Sequence, residues 1–355
     1  MILDDETMGV VPAPEVTPAG RDEWAAIAAS DPKALPEQTP QWTEAICDKS
    51  AYVDLSRCYR FADGRRFVLP LVARRRTPRA GAQLWSFPNA WGIGGPVGRG
   101  LDRHVVDHIT ADLRGMGAAR VSIRIDPTDD AHWRHLADDG ATVVVERTAH
   151  IAELGDGAAT HLAGLSRQTR FNIRKAQRRG VRVETSTGGA LLEDHYKLFL
   201  GSVDRWAGHQ HEPLVMARWR AARRDPLSKL RRIGEHLGGR FCVIVGYVGD
   251  RPAASAIVLL GATTRYTRGA IDPEIVRGTN ANDAVHWRAL EIAYEHGARR
   301  YNMGESGSAD GLARFKERFG AVAVPHGEYR FERFPITALD RAARGLVKRT
   351  VGFKD

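Results

Sequence analysis

A lysine beside two aromatic residues is the first feature of this sequence that can carry chemistry. Residues 301–320 predict a short strand that ends at a glycine, a loop of small residues, and a helix that contains Phe315, Lys316 and Phe319. Side chains four residues apart share one face of a helix, so the two phenylalanines lie together and Lys316 points elsewhere. This arrangement can aim one cation into a cleft above the end of the strand.

A basic helix is the second feature. Residues 166–182 hold seven basic side chains and no acid. Five of them recur at three- and four-residue spacing, so a helix displays them as one stripe: Arg167, Arg170, Arg174, Lys175 and Arg178. The stripe suits a phosphate backbone, and the alternative is a solvated helix face. A second cluster at residues 218–232, with seven basic residues and one acid, shifts the interpretation toward an RNA or polyphosphate partner.

The elements that must position these residues follow one plan twice. Each pass predicts strands in a meander, then a helix, a strand, a helix and a strand, and the second pass begins with an added helical region. The predicted elements are a hairpin of strands 52–59 and 66–72, helix 102–116, strand 120–125, helix 131–138 and strand 142–147, then helical region 191–237, strands 241–248, 253–260 and 265–270, helix 282–296, strand 299–303, helix 312–319 and strand 329–334.

This order resembles the plan of the GNAT acyltransferase fold, present in two copies. We therefore predict an α/β (α+β) protein of two tandem GNAT-like domains, each a mixed, mostly antiparallel sheet flanked by helices. The predicted boundaries are a flexible leader at 1–20, a first domain at 21–155 joined by the C-terminal tail 335–355, and a second, catalytic domain at 156–334.

Composition limits the setting and the partners. The chain has 355 residues and a net charge of +9, which favours polyanionic partners or reflects an arginine-rich proteome. Its longest apolar run, at residues 253–261, is too short to span a membrane, so we expect no integral membrane segment. Three scattered cysteines suit a reducing cytoplasm and argue against a disulfide or zinc scaffold. We therefore expect a cytoplasmic protein.

Two further motifs predict structure rather than chemistry. The glycine-rich loop at 91–98 fits neither a P-loop nor GxGxxG, so it predicts tight backbone passage beside a strand, with contact to a nucleotide-linked acceptor as the alternative. The pairs His132 with His135 and His209 with His211 each offer two metal ligands without a third, so no metal site is predicted.

Three segments in the same order resemble the Fem peptidyltransferases. They are LSRQTRFNIRKAQRRGV at 165–181, VHWRALEIAYEHGARRYNMG at 285–304 and GLARFKERFGA at 311–321, and they cover most of the second predicted domain. Fem enzymes transfer an amino acid from aminoacyl-tRNA to an amine of a peptidoglycan precursor or, in some relatives, of a peptide-like natural product. The resemblance implies the same reaction class here, with aminoacyl-tRNA as co-substrate and no cofactor.

The resemblance also implies roles for the residues at the strand end. It places Phe315 and Lys316 in the reactive cleft, where the lysine serves the acceptor end of the tRNA and the developing oxyanion. Many family members carry an aspartate where this chain has Asn302. The residues expected to contact substrate are Asn302, Gly304, Ser306 and Gly307.

An aminoacyl ester is already activated, so amide formation needs neither a metal nor ATP. It needs an unprotonated amine near the carbonyl, and positive charge or N–H donors where the oxyanion forms. Our hypothesis is that Lys316 supplies that charge and Glu305 takes the proton, with Asp310 as the second candidate base. The alternative makes Lys316 a solvated helix lysine and Glu305 a surface acid.

Two other functions remain open at this stage. One is an acyl-CoA-dependent N-acetyltransferase, whose pyrophosphate loop usually reads Arg/Gln-x-x-Gly-x-Gly/Ala before the long helix. Residues 277–282 read RGTNAN and do not fit, and Asp283 falls in the first helical turn, where it would repel a phosphate. We therefore expect a capped helix without a ligand there. The other function is a noncatalytic RNA-binding protein on a degenerate GNAT fold.

Overall fold

The computed structural model describes residues 12–76, 81–209, 212–307 and 310–351. The strands are β1 (Glu15–Pro18), β2 (Tyr52–Asp54), β3 (Arg57–Arg60), β4 (Arg66–Leu69), β5 (Val72–Arg74), β6 (Gln83–Trp85), β7 (Arg120–Arg124), β8 (Thr142–Glu153), β9 (Val181–Thr187), β10 (Phe241–Val248), β11 (Arg251–Leu259), β12 (Thr263–Ile271), β13 (Arg300–Glu305) and β14 (Val322–Glu332).

The helices flank these strands on both faces. They are α1 (Arg21–Ser30), α2 (Pro40–Cys47), α3 (Arg103–Gly115), α4 (Asp130–Trp133), α5 (Ala158–Gly164), α6 (Arg167–Arg178), α7 (Leu192–His209), α8 (Leu214–Arg224), α9 (Leu227–Leu237), α10 (Pro273–Thr279), α11 (Ala281–Glu295), α12 (Asp310–Glu317) and α13 (Ile336–Val351). No helix in the part of the chain that the structure describes is long and apolar enough to cross a membrane.

One eleven-stranded sheet runs through the molecule in the order β2-β5-β6-β7-β14-β8-β13-β12-β11-β10-β9. Two of its neighbouring pairs, β6 with β7 and β12 with β13, are parallel, and the others are antiparallel. The mixed, mostly antiparallel α/β fold predicted from the sequence is therefore confirmed. The domain boundaries stay a prediction, because β8 pairs with β14 on one side and with β13 on the other.

The last strand joins the first half of the chain. β14 was expected to complete the second copy of the plan, but it lies between β7 and β8, with Phe331 opposite both Val121 and Thr142. Its apolar residues Tyr329 and Phe331 pack in the core of the first half. The following helix α13 contacts the same half, since Asp340 accepts a hydrogen bond of 2.8 Å from Arg120.

The predicted hairpin of strands 52–59 and 66–72 is wrong in its extent. Each predicted strand is two strands: β3 pairs with β4 in a small three-stranded sheet, whereas β2 and β5 pair in the large sheet. The break falls where Ser56 turns its hydroxyl to the Leu71 amide, 3.1 Å away, and where Pro70 lacks an N–H. Residues 15–18 form β1 beside β3, so the predicted flexible leader is wrong there. Residues 1–11 lie outside the described part.

Helix α11 supports the second half of the sheet. It is rich in alanine and apolar on nearly all sides, with ten buried residues, because it packs between α6 and strands β10 and β11. It ends where Gly297 adopts a φ of +66°, as the sequence predicted. Its side chain His286 contacts Tyr266 of β12 and Phe315 of α12.

The parallel strands β12 and β13 separate after a short pairing. Their register covers only residues 263–265 and 300–302, although β12 continues to Ile271 and β13 to Glu305. Beyond that point β13 bends toward β8 with an irregularity between Asn302 and Glu305, and Gly304 has a φ of +71°. The strand end therefore separates from β12 but stays paired with β8 through Glu305 and Ala149.

Candidate active site

Lys316 is buried at the bent end of β13. Its side chain is only 1% exposed, and its Nζ donates hydrogen bonds of 2.9 Å to the carbonyl oxygens of Gly304 and Glu305. Burial lowers the pKa of Lys316 to about 8, although the charge of Glu305 acts in the opposite direction. The alternative of a solvated helix lysine is therefore wrong, whereas the catalytic role of Lys316 stays a prediction.

Aromatic rings fix the helix that carries Lys316. The Phe315 and Phe319 ring centroids are 5.2 Å apart, which agrees with their predicted shared face. The His286 ring lies against both, 4.8 Å from Phe315, and its other neighbour is Tyr266 at 4.8 Å. Burial and then the charge of Lys316 lower the pKa of His286 to about 3, so this ring is neutral and adds no competing charge.

The four predicted substrate-contacting residues shape the strand end. Asn302 is fully buried, and its Oδ1 accepts a hydrogen bond of 2.8 Å from the Gly304 amide, which holds the bend. The Nδ2 atom of Asn302 has no hydrogen-bond partner among the described residues. Ser306 is buried, 3.2 Å from His150 Nδ1, while Gly307 is exposed with a φ of +56°. Residues 308–309 lie outside the described part.

The two candidate bases differ in their surroundings. Glu305 is partly buried, and its Oε2 accepts a hydrogen bond of 2.9 Å from Arg147 Nη1. Its Oε1 lies 3.9 Å from Nε2 of the buried His326, whose pKa burial lowers. Asp310 is exposed at the start of α12, six residues before Lys316 and on a different face of the helix. The structure therefore brings Glu305, and not Asp310, to the lysine.

Three further side chains lie around this site and were not predicted from the sequence. Arg147 and His150 come from β8, which pairs with β13, and His326 comes from β14, which lies on the other side of β8. Burial lowers the pKa of both histidines. Nothing in the sequence links Arg147 to Glu305 across 158 residues, so this contact could not be found without the fold.

The basic stripe on α6 is displayed toward solvent. Arg167, Arg174 and Arg178 are exposed, and no basic residue of α6 forms an ion pair with a carboxylate in the described ranges. Arg178 stacks over the exposed Phe171, 5.5 Å from its ring centroid. Arg170 differs, since it donates to the backbone oxygens of residues 163 and 165 and closes the end of α5.

The second basic cluster is largely compensated. Its ion pairs are Arg218 with Asp204, Arg220 with Glu212, Arg224 and Lys229 with Asp225, and Arg231 with Glu193. The acids lie mostly on α7 and in the adjoining loop, so these pairs form only when the helices pack. This cluster no longer supports a polyanion partner in the way the sequence suggested.

The start of α11 carries an internal salt bridge. Asp283 lies in the first turn, as predicted, and it is buried. Its Oδ1 accepts hydrogen bonds from Arg318 and, at 3.3 Å, from Asn172. Helix α10 runs directly into α11 at Asn280, so no glycine-rich loop precedes this helix start.

Among the described residues, no group of three His, Cys, Asp or Glu side chains could hold a metal ion.

The glycine-rich loop at 91–98 passes closely beside the first-half strands, as predicted. A Cβ on Gly98, whose φ is +149°, would lie 2.3 Å from the Arg66 carbonyl oxygen. A Cβ on Gly94 would lie 2.6 Å from Ser86 Cβ. These contacts explain the glycines by packing.

Comparison with known proteins identifies the type of domain and the fold. The family model for the acetyltransferase (GNAT) domain matches residues 164–317, which is less than half of the chain. No curated protein matches this chain. The crystal structure of FemX superposes with a TM-score of 0.66 at 14% identity, over 90% of this chain and 97% of that one. A protein of unknown function from Bacteroides thetaiotaomicron superposes with a TM-score of 0.52 at 12% identity, over 90% and 99% of the two chains.

The matched domain contains α6, α11, β13 and Lys316. The chain is therefore an acyltransferase, and 90% of it shares one fold with FemX. The resemblance read from the three sequence segments is confirmed. The chain carries a GNAT acyltransferase domain at residues 164–317 and has the fold of FemX.

Proposed function

We propose that this acyltransferase moves an aminoacyl group from aminoacyl-tRNA to an amine of a peptidoglycan precursor or of a peptide-like natural product. The observation that carries the proposal is the uncompensated basic stripe on α6. Helix α6 packs on α11, and His286 of α11 contacts Phe315 beside Lys316. A polyanion bound along α6 would thus lie on the same half of the molecule as the buried lysine.

The reaction can proceed with the groups present at the strand end. The acceptor amine attacks the ester carbonyl carbon, and a C–N bond forms while the carbonyl oxygen gains negative charge. Two Nζ hydrogens of Lys316 are held by the carbonyls of Gly304 and Glu305, which leaves the third for this oxygen. The C–O bond to the terminal ribose then breaks. The amine proton passes to the Glu305 carboxylate and then to the departing ribose oxygen, so no cofactor, metal or ATP is required.

An acyl-CoA donor is the second candidate, because the matched family model describes an acetyltransferase. The buried Asp283 at the start of α11 speaks against it. A pyrophosphate bound to these backbone N–H groups would face this carboxylate at close range. The third candidate, a noncatalytic RNA-binding protein, would not need a lysine of lowered pKa in a buried position.

A donor test separates the three. The purified chain is incubated with labelled aminoacyl-tRNA or labelled acetyl-CoA, together with a panel of amines that includes peptides and amino sugars. The proposal expects enzyme-dependent loss of the aminoacyl-tRNA ester with formation of an amide, and no consumption of acetyl-CoA. Consumption of acetyl-CoA alone would replace the proposal with the second candidate. Salt-sensitive tRNA retention without turnover of either donor would replace it with the third.

A further inference from the structure

A cavity of about 440 Å³ lies on the first-half sheet, away from the core of that half. Along β7 and β14, apolar and polar residues alternate, so Val121, Ile123, Tyr329 and Phe331 enter the core. The intervening side chains line the cavity, and they are strongly basic. Besides Trp85 and Ser122, the lining includes Arg120, Arg124, Arg147, Glu328, Arg330 and Asp340.

A single carboxylate holds three of these guanidinium groups. Glu328, with a side chain only 8% exposed, accepts hydrogen bonds of 3.1 Å from Arg124, 2.5 Å from Arg147 and 2.8 Å from Arg330. Burial acts to raise the pKa of Glu328, but the three cations outweigh it and lower this pKa to about 2. At the other end of the cavity, Arg120 is paired with Glu332 and Asp340. The positive excess therefore lies around Glu328.

The cavity is connected to the candidate active site through Arg147. The same guanidinium donates to Glu328 and, at 2.9 Å, to the carboxylate of Glu305. The backbone oxygen of Glu305 in turn holds Lys316. A molecule in the cavity would therefore extend toward the carboxylate and the ammonium that we assign to amide formation.

Partly buried guanidinium groups in excess over carboxylates are costly unless an anion completes their coordination. Arg124 uses one nitrogen for Glu328, and its other nitrogens donate to no residue in the described part of the chain. Guanidinium forks match the oxygens of phosphoryl and carboxylate groups. The cavity volume suits one small-molecule portion.

We propose that Arg124, Arg147 and Arg330 bind an oxyanion of the acceptor and so hold its amine at Glu305 and Lys316. The oxyanion is a phosphoryl or a carboxylate group, and Arg147 is a positioning residue between the two sites. This inference rests on the proposed function only in assigning the anion to the acceptor substrate, because binding of the anion itself needs no aminoacyl donor.

Calorimetric titration of the full chain tests it with two probes, inorganic pyrophosphate and glutarate. We expect saturable binding of at least one probe, and the one that binds identifies the oxyanion. Arg124→Gln and Arg330→Gln should weaken this binding at least tenfold. Glu328→Gln should strengthen it severalfold, because it removes the internal competitor of the ligand. Arg218→Gln, which removes an ion-paired arginine of α8 outside the cavity, is the matched control and should leave binding unchanged.

A purely structural cluster gives a different pattern. Glu328→Gln would then lower the melting temperature without strengthening binding, and the arginine variants would not differ from Arg218→Gln; either result overturns the proposal. If a glutamine variant does not fold, Arg124→Lys and Arg330→Lys keep the charge but lose the fork, and they must weaken binding severalfold. Anion binding with failure of the donor test leaves this inference standing and removes the proposed donor. Successful transfer without anion binding leaves the proposed donor standing and overturns this inference.

Discussion

The side chain of Lys316 contacts the backbone of Glu305. The Nζ of Lys316 lies 2.9 Å from the carbonyl oxygen of Glu305, while the Glu305 carboxylate is directed to Arg147. Glu305 thus holds the Lys316 ammonium with its backbone oxygen and also offers a carboxylate. The site therefore has a positive charge for the oxyanion and a proton acceptor close together at the end of β13.

The two candidate bases make a direct comparison. Glu305→Gln should lower the transfer rate by about a hundredfold, because an amide cannot take the amine proton. Asp310→Asn should change the rate little, because Asp310 is exposed on another face of α12. Single-turnover rates with saturating acceptor measure both. A larger loss in Asp310→Asn than in Glu305→Gln would reverse the assignment.

Stability should depend on pH through Lys316. Its pKa falls from 10.5 to about 8 on folding, so the native state loses this proton before the unfolded state does. Between pH 8 and 10.5 the unfolded state binds more protons, and the free energy of unfolding should rise with pH by up to about 1.4 kcal/mol per pH unit. Below pH 8 the ammonium is charged in both states and its burial remains a cost.

Urea unfolding of the wild type and of Lys316→Met at pH 7 and pH 9.5 isolates this contribution. Methionine has a similar length and carries no charge. The free energy of unfolding of Lys316→Met minus that of the wild type should therefore be larger at pH 7 than at pH 9.5. A stability difference that is the same at both pH values would show that the lysine does not titrate in this interval.

The α6 stripe should carry tRNA affinity. Removing one cation that contacts a phosphate should reduce the slope of log K against log salt by about 1. We therefore expect Arg174→Gln and Arg178→Gln each to weaken tRNA retention and flatten its salt dependence. Arg231→Gln is the matched control, since Arg231 is paired with Glu193. Equal effects from all three would mean that only net charge matters.

A buried ion pair joins the N-terminal region to β12. Glu37 Oε1 lies 2.8 Å from Arg265 Nε, and the two side chains are 0% and 8% exposed. Arg265→Met alone leaves a buried carboxylate and should cost about 3 kcal/mol of unfolding free energy, whereas the double variant with Glu37→Leu should recover most of it. Urea unfolding of both variants checks this. A double variant less stable than Arg265→Met would contradict it.

Local patterns predicted the elements of the second half well. α11 was expected at 282–296 and lies at 281–295, because a long apolar pattern that ends at Gly297 has few alternatives. The partners of β14 were not predictable, since pairing between strands distant in sequence depends on the completed sheet. The Arg120, Ser122 and Arg124 alternation was a usable signal for a polar sheet face, and it was overlooked.

The sequence indicated Lys316 as a candidate but could not predict the environment of its side chain. GLARFKERFG pointed to Lys316, yet its burial depends on the carbonyls of Gly304 and Glu305, which face it only because β13 bends. The two basic clusters look alike as sequence. They differ in the folded chain because α7 supplies acids to the second cluster, whereas the basic residues of α6 form no ion pair with a carboxylate in the described residues.

The proposed transfer from aminoacyl-tRNA depends on Lys316 more than on any other residue of the site. The most direct measurement is the single-turnover rate of amide formation from labelled aminoacyl-tRNA by the wild type and by Lys316→Met, with melting temperatures measured in parallel. We predict a loss of about 100- to 1,000-fold in the variant with its fold intact, as for removal of one oxyanion donor. Transfer by Lys316→Met at a rate close to that of the wild type would contradict the claim.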